Sequence, residues 1–314
     1  AQILETDIPC IRVFGFFRPV STFNHYHRFS IPKKTGGERI ISAPVSRLKS
    51  LQKNIQEKIL ANVPIHDAAH GFVPNRSVYT NAIPHIGKKI VINMDLKNFF
   101  PTISFPRVRG CFTSLGYSPK IATILGLLCT EAPTLEATLN KKKWYIAQGE
   151  RFLPQGAPTS PIITNIICRN LDARLHGWAV KNGAVYTRYA DDLTFGFDSK
   201  QAKIGKFLFV VRKIIQEEGF VVHPDKTKVM RDGMRKEVTG VVVNEKASIP
   251  KKTMRKFDAL LHHIEHDGPE GKYWGDSDDV LTAALGFASF IKMIDPEKGA
   301  PRHAKVKELC TKYR

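Results

Sequence analysis

Cysteine is scarce and scattered. The five thiols stand at 10, 111, 129, 168 and 310 of 314 residues. Their number is odd and no Cys-x-x-Cys occurs, so the sequence supports neither a disulfide framework nor a zinc ligand set. Long apolar runs are also missing: no stretch approaches the roughly 20 apolar residues that a membrane helix needs. Glu5, Asp7 and Arg12 interrupt the first residues, which do not read as a secretory signal. The reducing cytoplasm is the expected compartment, with no membrane partner. No Walker-type glycine loop is present. Acidic residues are the last shortage: 29 Asp and Glu against 48 Lys and Arg leave a formal charge of +19. The excess is spread over Lys33-Lys34, 47–53, Lys141-Lys142-Lys143 and 226–236, and only the segment from Lys251 is close to balanced. A distributed excess suits an extended polyanion, with nucleic acid ahead of an acidic membrane surface or a ribosome.

Against that shortage, adjacent acids stand out. Tyr189-Ala190-Asp191-Asp192 lies between two runs of strand type, 185–189 and 193–197. Two such runs joined by a tight bend predict a β-hairpin, with an Asp tolerated in the left-handed conformation at the bend. The tip then holds two carboxylates that repel one another. Hard Mg²⁺, which favours carboxylate oxygens, relieves that repulsion. An acidic hairpin turn is the plain alternative. A second pair, Asp278-Asp279, precedes an apolar run and reads as helix N-terminal charge.

The rest of the chain decides between these readings. His25 to Ile41 predicts a hairpin with a basic, Gly-rich tip at 33–37. Ser46 is the expected cap of a helix burying Leu48, Leu51, Ile55 and Ile59, and Ser77 that of a short helix over Val78 to His85. Ile90-Val91-Ile92-Asn93-Met94-Asp95 is a nearly continuous apolar run, a buried strand ending in an acid. Ser104-Phe105-Pro106 opens a helix that closes near Gly116. After the rigid Leu153-Pro154-Gln155-Gly156-Ala157-Pro158 loop, Ser160 caps a helix expected to reach 182. A further helix runs to Gly219, followed by a short strand at Phe220-Val221-Val222. The order β-α-β-β-α-β is the split βαβ plan, which sets Asp95 opposite Asp191 at the sheet centre. Three carboxylates on a basic surface are the two-metal arrangement for nucleotidyl transfer. The tail, 246–314, predicts helices with core stripes. His262, His263 and His266 read as an exposed face that touches nucleic acid rather than as a metal site.

With these residues in hand, the chain resembles reverse transcriptases over roughly residues 25–245. The motifs stand in the family's order: the basic hairpin around Lys34 and Arg39, Asp95 with Phe100, Leu153-Pro154-Gln155-Gly156, Tyr189-Ala190-Asp191-Asp192 and Asp225-Lys226. The resemblance implies an α+β right-hand polymerase: fingers over 1–88, a split-βαβ palm over 89–245 with a fingers insertion near 102–152, and a helical thumb over 246–314. It makes Asp95, Asp191 and Asp192 the catalytic acids and ligands of two Mg²⁺ ions, with Mn²⁺ as the alternative. Lys34 and Arg39 are expected on the incoming dNTP, Phe100 under its sugar, Gln155 in its pocket, and Lys226 as the acid for pyrophosphate.

Asn81-Ala82-Ile83-Pro84-His85 and Val238-Thr239-Gly240 further resemble the retron branch. That branch implies copying of a structured noncoding RNA from a 2′-hydroxyl primer, a branched RNA–DNA product (msDNA), and phage defence with a separate effector protein. Asn81, His85, Val238, Thr239 and Gly240 then become the expected RNA contacts. The rivals are an intron-like or other defence reverse transcriptase using 3′-hydroxyl primers, a binding scaffold with a vestigial site, and an RNA-copying RNA polymerase. The last calls for a small residue at 100. The stretch 131–148 does not align with the motifs and reads as an RNA-contacting insertion or a surface loop.

Overall fold

The computed structural model describes residues 1–16, 18–32 and 36–313, so Lys33 and Lys34 of the basic tip lie outside the described residues. A 3₁₀ turn at Gln2–Leu4 precedes α1 (Ile8–Gly15), whose cap Asp7 accepts from the Cys10 N–H at 2.7 Å. The two-residue strand β1 (Val20–Ser21) follows. Strands β2 (Tyr26–Pro32) and β3 (Glu38–Pro44) form the predicted antiparallel hairpin. Helix α2 (Ser46–Ile55) runs on into a π turn, Gln56–Leu60. A π turn adds one residue, so the buried stripe continues at Leu60 rather than at Ile59. Helix α3 (Val78–Ala82) has a complete capping box between Ser77 and Thr80.

Strand β4 (Ile90–Asp95) leads to α4 (Phe105–Ser114) and α5 (Pro119–Cys129), each with proline in its first turn. Strands β5 (Thr134–Leu139) and β6 (Lys142–Ala147) form a hairpin whose turn residues, Asn140 and Lys141, have φ of 51° and 60°. The stretch that resisted alignment is thus an ordered hairpin, extended by β1 into a three-stranded sheet. The helix expected over 160–182 is two, α6 (Ser160–Ile167) and α7 (Arg169–Lys181), parted at Cys168. Strands β7 (Ala184–Tyr189) and β8 (Asp192–Phe197) precede α8 (Ile204–Glu217), β9 (Lys228–Met230), β10 (Glu237–Val238) and β11 (Val241–Val242). Helices α9 (Lys251–Asp267), α10 (Val280–Ile294) and α11 (Pro296–Tyr313) complete the chain. Asp279 caps α10, accepting from the Thr282 N–H at 3.0 Å, as its position predicts.

Two expected caps move by one residue. Val45 and Thr159 hold the cap positions, while Ser46 and Ser160 are already helical. The Ser160 hydroxyl instead donates to the Pro154 carbonyl at 2.6 Å and fastens the loop behind it.

The central sheet has the order β7-β8-β4-β9, antiparallel throughout. This is the split βαβ arrangement, with the fourth strand displaced from its expected place. Phe220 to Val222 makes only the bridge Leu96↔Val222, because it runs beside the end of β4 and then enters a 3₁₀ turn at Pro224. Strand pairing resumes at β9, with Val91 opposite Met230.

Side-chain alternation splits β4 between two cores. Ile90, Ile92 and Met94 join Leu193, Phe195, Phe197 and Phe207 in the first, which extends from Leu4 to Phe220. Val91 joins Ala82, Val238, Val241 and the tail helices in the second. Each fully buried Leu, Ile or Phe contributes on the order of 1.5–3 kcal/mol, so both faces of β4 are held. Asp95 closes the alternation on the Val91–Asn93 face, away from the helices that cover Met94.

Candidate active site

The two acids of the hairpin are presented by a two-residue loop. Tyr189 pairs with Asp192, leaving Ala190 and Asp191 as the turn. Ala190, not an aspartate, takes the left-handed conformation, with φ of 55°. The register sets Asp95 opposite Asp192 rather than Asp191. Asp191 joins them through its backbone, its carbonyl accepting from the Leu96 N–H at 3.0 Å. All three acids therefore lie where β4 ends and β8 begins.

Their electrostatics follow from burial and crowding. Burial raises the Asp191 carboxyl above its usual range; Asp95 adds to this, and its own backbone N–H, Lys226 and Arg39 oppose it. Asp192 is pushed up to about 7, first by burial, then by Asp191 and Asp95. The Lys226 ammonium lies 2.9 Å from Asp95 Oδ1. The backbone fixes this neighbourhood too, since the His223 N–H donates to the Asp95 carbonyl at 2.7 Å.

The surrounding residues come from three elements. Arg39 projects from β3 and is exposed, yet its charge acts on Asp191. Gln155 is half-buried, and its carbonyl accepts from the Ser42 N–H of the same strand at 2.8 Å. Gly156 has φ of 126°, and a Cβ there would lie 2.9 Å from the Ser42 carbonyl oxygen, so the loop needs glycine to dock on β3. Phe100 is half-buried, its ring centroid 5.7 Å from that of Phe99 and 6.3 Å from that of Phe72.

The two strings expected on RNA meet each other instead. Asn81 and His85 are fully buried. Asn81 Nδ2 donates to Thr239 Oγ1 at 3.3 Å, and His85 Nε2 lies 2.8 Å from Thr187 Oγ1. Thr187 in turn donates to the Asn81 carbonyl at 3.4 Å. Val238 is buried as well, and Thr239 and Gly240 form the turn between β10 and β11 with φ of 46° and 85°. Asn81 and His85 therefore offer no free edge to RNA; they clasp the β10–β11 hairpin to β7 at Thr187, four residues before Asp191. Of the five residues, Gly240 alone is exposed.

The sequence reading passed over the polar groups buried behind the hairpin, Arg188, Asp172 and Asn165. Their one signal is an arginine among the β-branched and aromatic residues of a buried strand. His262, His263 and His266 lie on the exposed side of α9.

The family model of reverse transcriptase (RNA-dependent DNA polymerase) matches residues 31–264, which include this entire constellation. Retron Mx162 reverse transcriptase of Myxococcus xanthus is 40% identical over 324 aligned positions, covering 98% of this chain and 66% of that protein. Retron Ec86 reverse transcriptase of Escherichia coli is 33% identical, covering 92% of this chain and 82% of that one. The chain belongs to the retron branch of the reverse transcriptases. It spans about two thirds of the Mx162 enzyme. Telomerase from Candida albicans, solved with the TWJ fragment of telomeric RNA, superposes on this reverse transcriptase with a TM-score of 0.50. The match covers 90% of this chain and 56% of that one at 12% identity, a likeness of the right-hand polymerase fold alone.

Reverse transcriptases generally use divalent metal ions. Among the described residues no group of three or more His, Cys, Asp or Glu side chains is disposed to hold a metal ion, so Asp95, Asp191 and Asp192 meet at one sheet end by strand register and not as a formed ligand set. The fit lies in the donor set: three carboxylates at one sheet end, two of them destabilised as anions by burial and mutual repulsion, which a hard cation would offset.

Proposed function

We propose that this retron-type reverse transcriptase copies a structured noncoding RNA into DNA, starting from a 2′-hydroxyl within that RNA. The product is branched RNA–DNA, made in the cytoplasm for phage defence alongside a separate effector protein. The observation that carries the polymerase reading is the register Asp95↔Asp192 with Asp191 in the adjoining turn. It gathers three acids on a chain whose formal charge is +19.

Asp95, Asp191 and Asp192 would hold two Mg²⁺ ions, or Mn²⁺. When bound, such ions activate the attacking sugar hydroxyl and offset the charge on the triphosphate. The chain's own groups do the rest. Arg39, with Lys34, binds the phosphates of the incoming dNTP as an exposed cation whose field already reaches Asp191. Gln155 lines the nucleotide pocket from a loop docked on the Arg39 strand. Phe100, backed by Phe72 and Phe99, lies beneath the sugar and excludes a 2′-hydroxyl. Lys226, now on Asp95, hands a proton to the departing pyrophosphate. The exposed Gly240 turn approaches the RNA backbone closely, while Asn81, His85, Val238 and Thr239 hold that turn in place.

The three-part division into fingers (1–88), palm (89–245) and thumb (246–314) is proposed on the same basis. The tail helices support its last part: they pack together in the second core, against Ala82 and Val91 as well as Val238 and Val241.

Recovery of the enzyme with its RNA, followed by denaturation, tests the priming. The expected DNA stays joined to RNA after denaturation and is released by a 2′,5′-debranching enzyme. DNA made only on added 3′-hydroxyl primers would replace this reading with the intron-like one.

A further inference from the structure

Strand β7 buries a charge behind the catalytic turn. Arg188 and Asp172 of α7 are both 0% exposed. The guanidinium meets the carboxylate as a fork, Nε to Oδ1 at 2.8 Å and Nη2 to Oδ2 at 2.7 Å. Tyr186 donates its hydroxyl to the same Oδ1 at 2.9 Å. Burying two ions is costly, and apolar side chains of equal volume often stabilise a fold better. An apolar pair, however, has no donors. The remaining arginine nitrogen, Nη1, donates to Asn165 Oδ1 at 3.0 Å and to the Ala190 carbonyl at 3.1 Å.

Ala190 is the left-handed residue immediately before Asp191. An alanine in that conformation is disfavoured, so its surroundings must hold it there. They do so from two sides. Asn165 Nδ2 donates to the Gly71 carbonyl at 2.9 Å. Gly71 lies flush on the turn, where a Cβ would sit 2.5 Å from the Ala190 nitrogen. The loop carrying Gly71 is laced to β7, the Arg188 N–H donating to Ala68 O at 2.6 Å and its carbonyl accepting from His70 N at 2.7 Å.

We propose that Arg188 is a positioning residue for DNA synthesis: clamped by Asp172 and Asn165, it pins the Ala190 carbonyl and so sets the direction in which Asp191 and Asp192 are presented. The proposal rests on the assignment of those two acids as catalytic.

The test is the triple variant Asp172→Leu, Tyr186→Phe, Arg188→Met, which removes both charges and the hydroxyl while keeping apolar volume. A strut could be replaced this way; a donor could not. The expected protein melts at or above the wild-type temperature and binds an RNA template annealed to a DNA primer as before. Its kcat on that template falls on the order of 10- to 100-fold, the loss typical of misplacement by up to about an ångström. KM for dNTP stays within about threefold, since the nucleotide contacts are untouched. Binding of MnCl₂ to the free protein, read by electron paramagnetic resonance, weakens, and the Mg²⁺ concentration for half-maximal rate rises. A folded triple variant with wild-type kcat and wild-type Mn²⁺ binding overturns the proposal. Should it not fold, Asn165→Leu decides, because it keeps the buried pair and cuts only the tie between Arg188 and Gly71. Reduced kcat with weakened Mn²⁺ binding supports positioning, and unchanged values refute it. Asp191→Asn serves as control: full activity there would overturn the assignment of the acids, a result distinct from failure of the clamp.

Discussion

The buried His85 ring should make the fold less stable in mild acid. The ring is fully buried, with Nε2 on Thr187 and Nδ1 against Gly196, where a Cβ would approach it to 2.7 Å. Among the described residues Nδ1 has no hydrogen-bond partner, so a proton added there would be buried unpaired. Burial, then the charge of Lys88, lowers the pKa from 6.5 to about 3. In the unfolded chain the ring takes up its proton near 6.5; in the folded chain only near 3. Between those values the unfolded state binds more protons, so stability falls as pH drops through that window. From pH 7 to pH 5 this one ring removes about 2 kcal/mol. The comparison is wild type against His85→Gln, which cannot gain the charge, by urea denaturation at both pH values. The wild type should lose about 2 kcal/mol more than the variant over that interval. Equal losses would refute the argument by showing that the folded ring accepts a proton without penalty.

Three further outcomes follow from named contacts. Gly196→Ala should cost about 1–3 kcal/mol of stability through overpacking against His85 and Lys88, read as a lower urea midpoint; an unchanged midpoint would mean the clasp gives way freely. Asn81→Ala removes the tie to Thr239 and should lower stability by about 1 kcal/mol, visible as a lower melting temperature. Phe100→Ala should raise ribonucleotide incorporation relative to deoxyribonucleotide in a protein that still melts cooperatively, since the ring is only half-buried; an unchanged sugar preference removes the gate.

The strands that carry the three acids were legible because their burial is written as residue type. Ile90 to Met94 is apolar at almost every position since both faces of β4 are covered, and the acid at its end breaks the run. The hairpin was legible from β-branched and aromatic flanks around a short polar bend. Local patterns misled where tertiary contacts decide. The apolar Phe220-Val221-Val222 looks like a strand, but Phe220 is a core residue and pairing passes to Lys228–Met230 beyond Pro224. The periodic stretch 160–182 conceals a break at Cys168, because both halves keep the same apolar spacing. Asn81 and His85 are polar and therefore suggested a surface role. Their partners, Thr239 and Thr187, lie 158 and 102 residues away, beyond any local reading. Arg188 was hidden for the same reason, since the acid that permits its burial sits on α7.

The assignment of the acids as a polymerase site is tested most directly by extension of a DNA primer on an RNA template with and without MgCl₂. The measurement compares wild type with Asp191→Asn and Asp95→Asn. The account predicts Mg²⁺-dependent DNA synthesis by the wild type and none by either variant, while melting temperature and RNA binding remain near wild type. Substantial synthesis by both folded variants would contradict it.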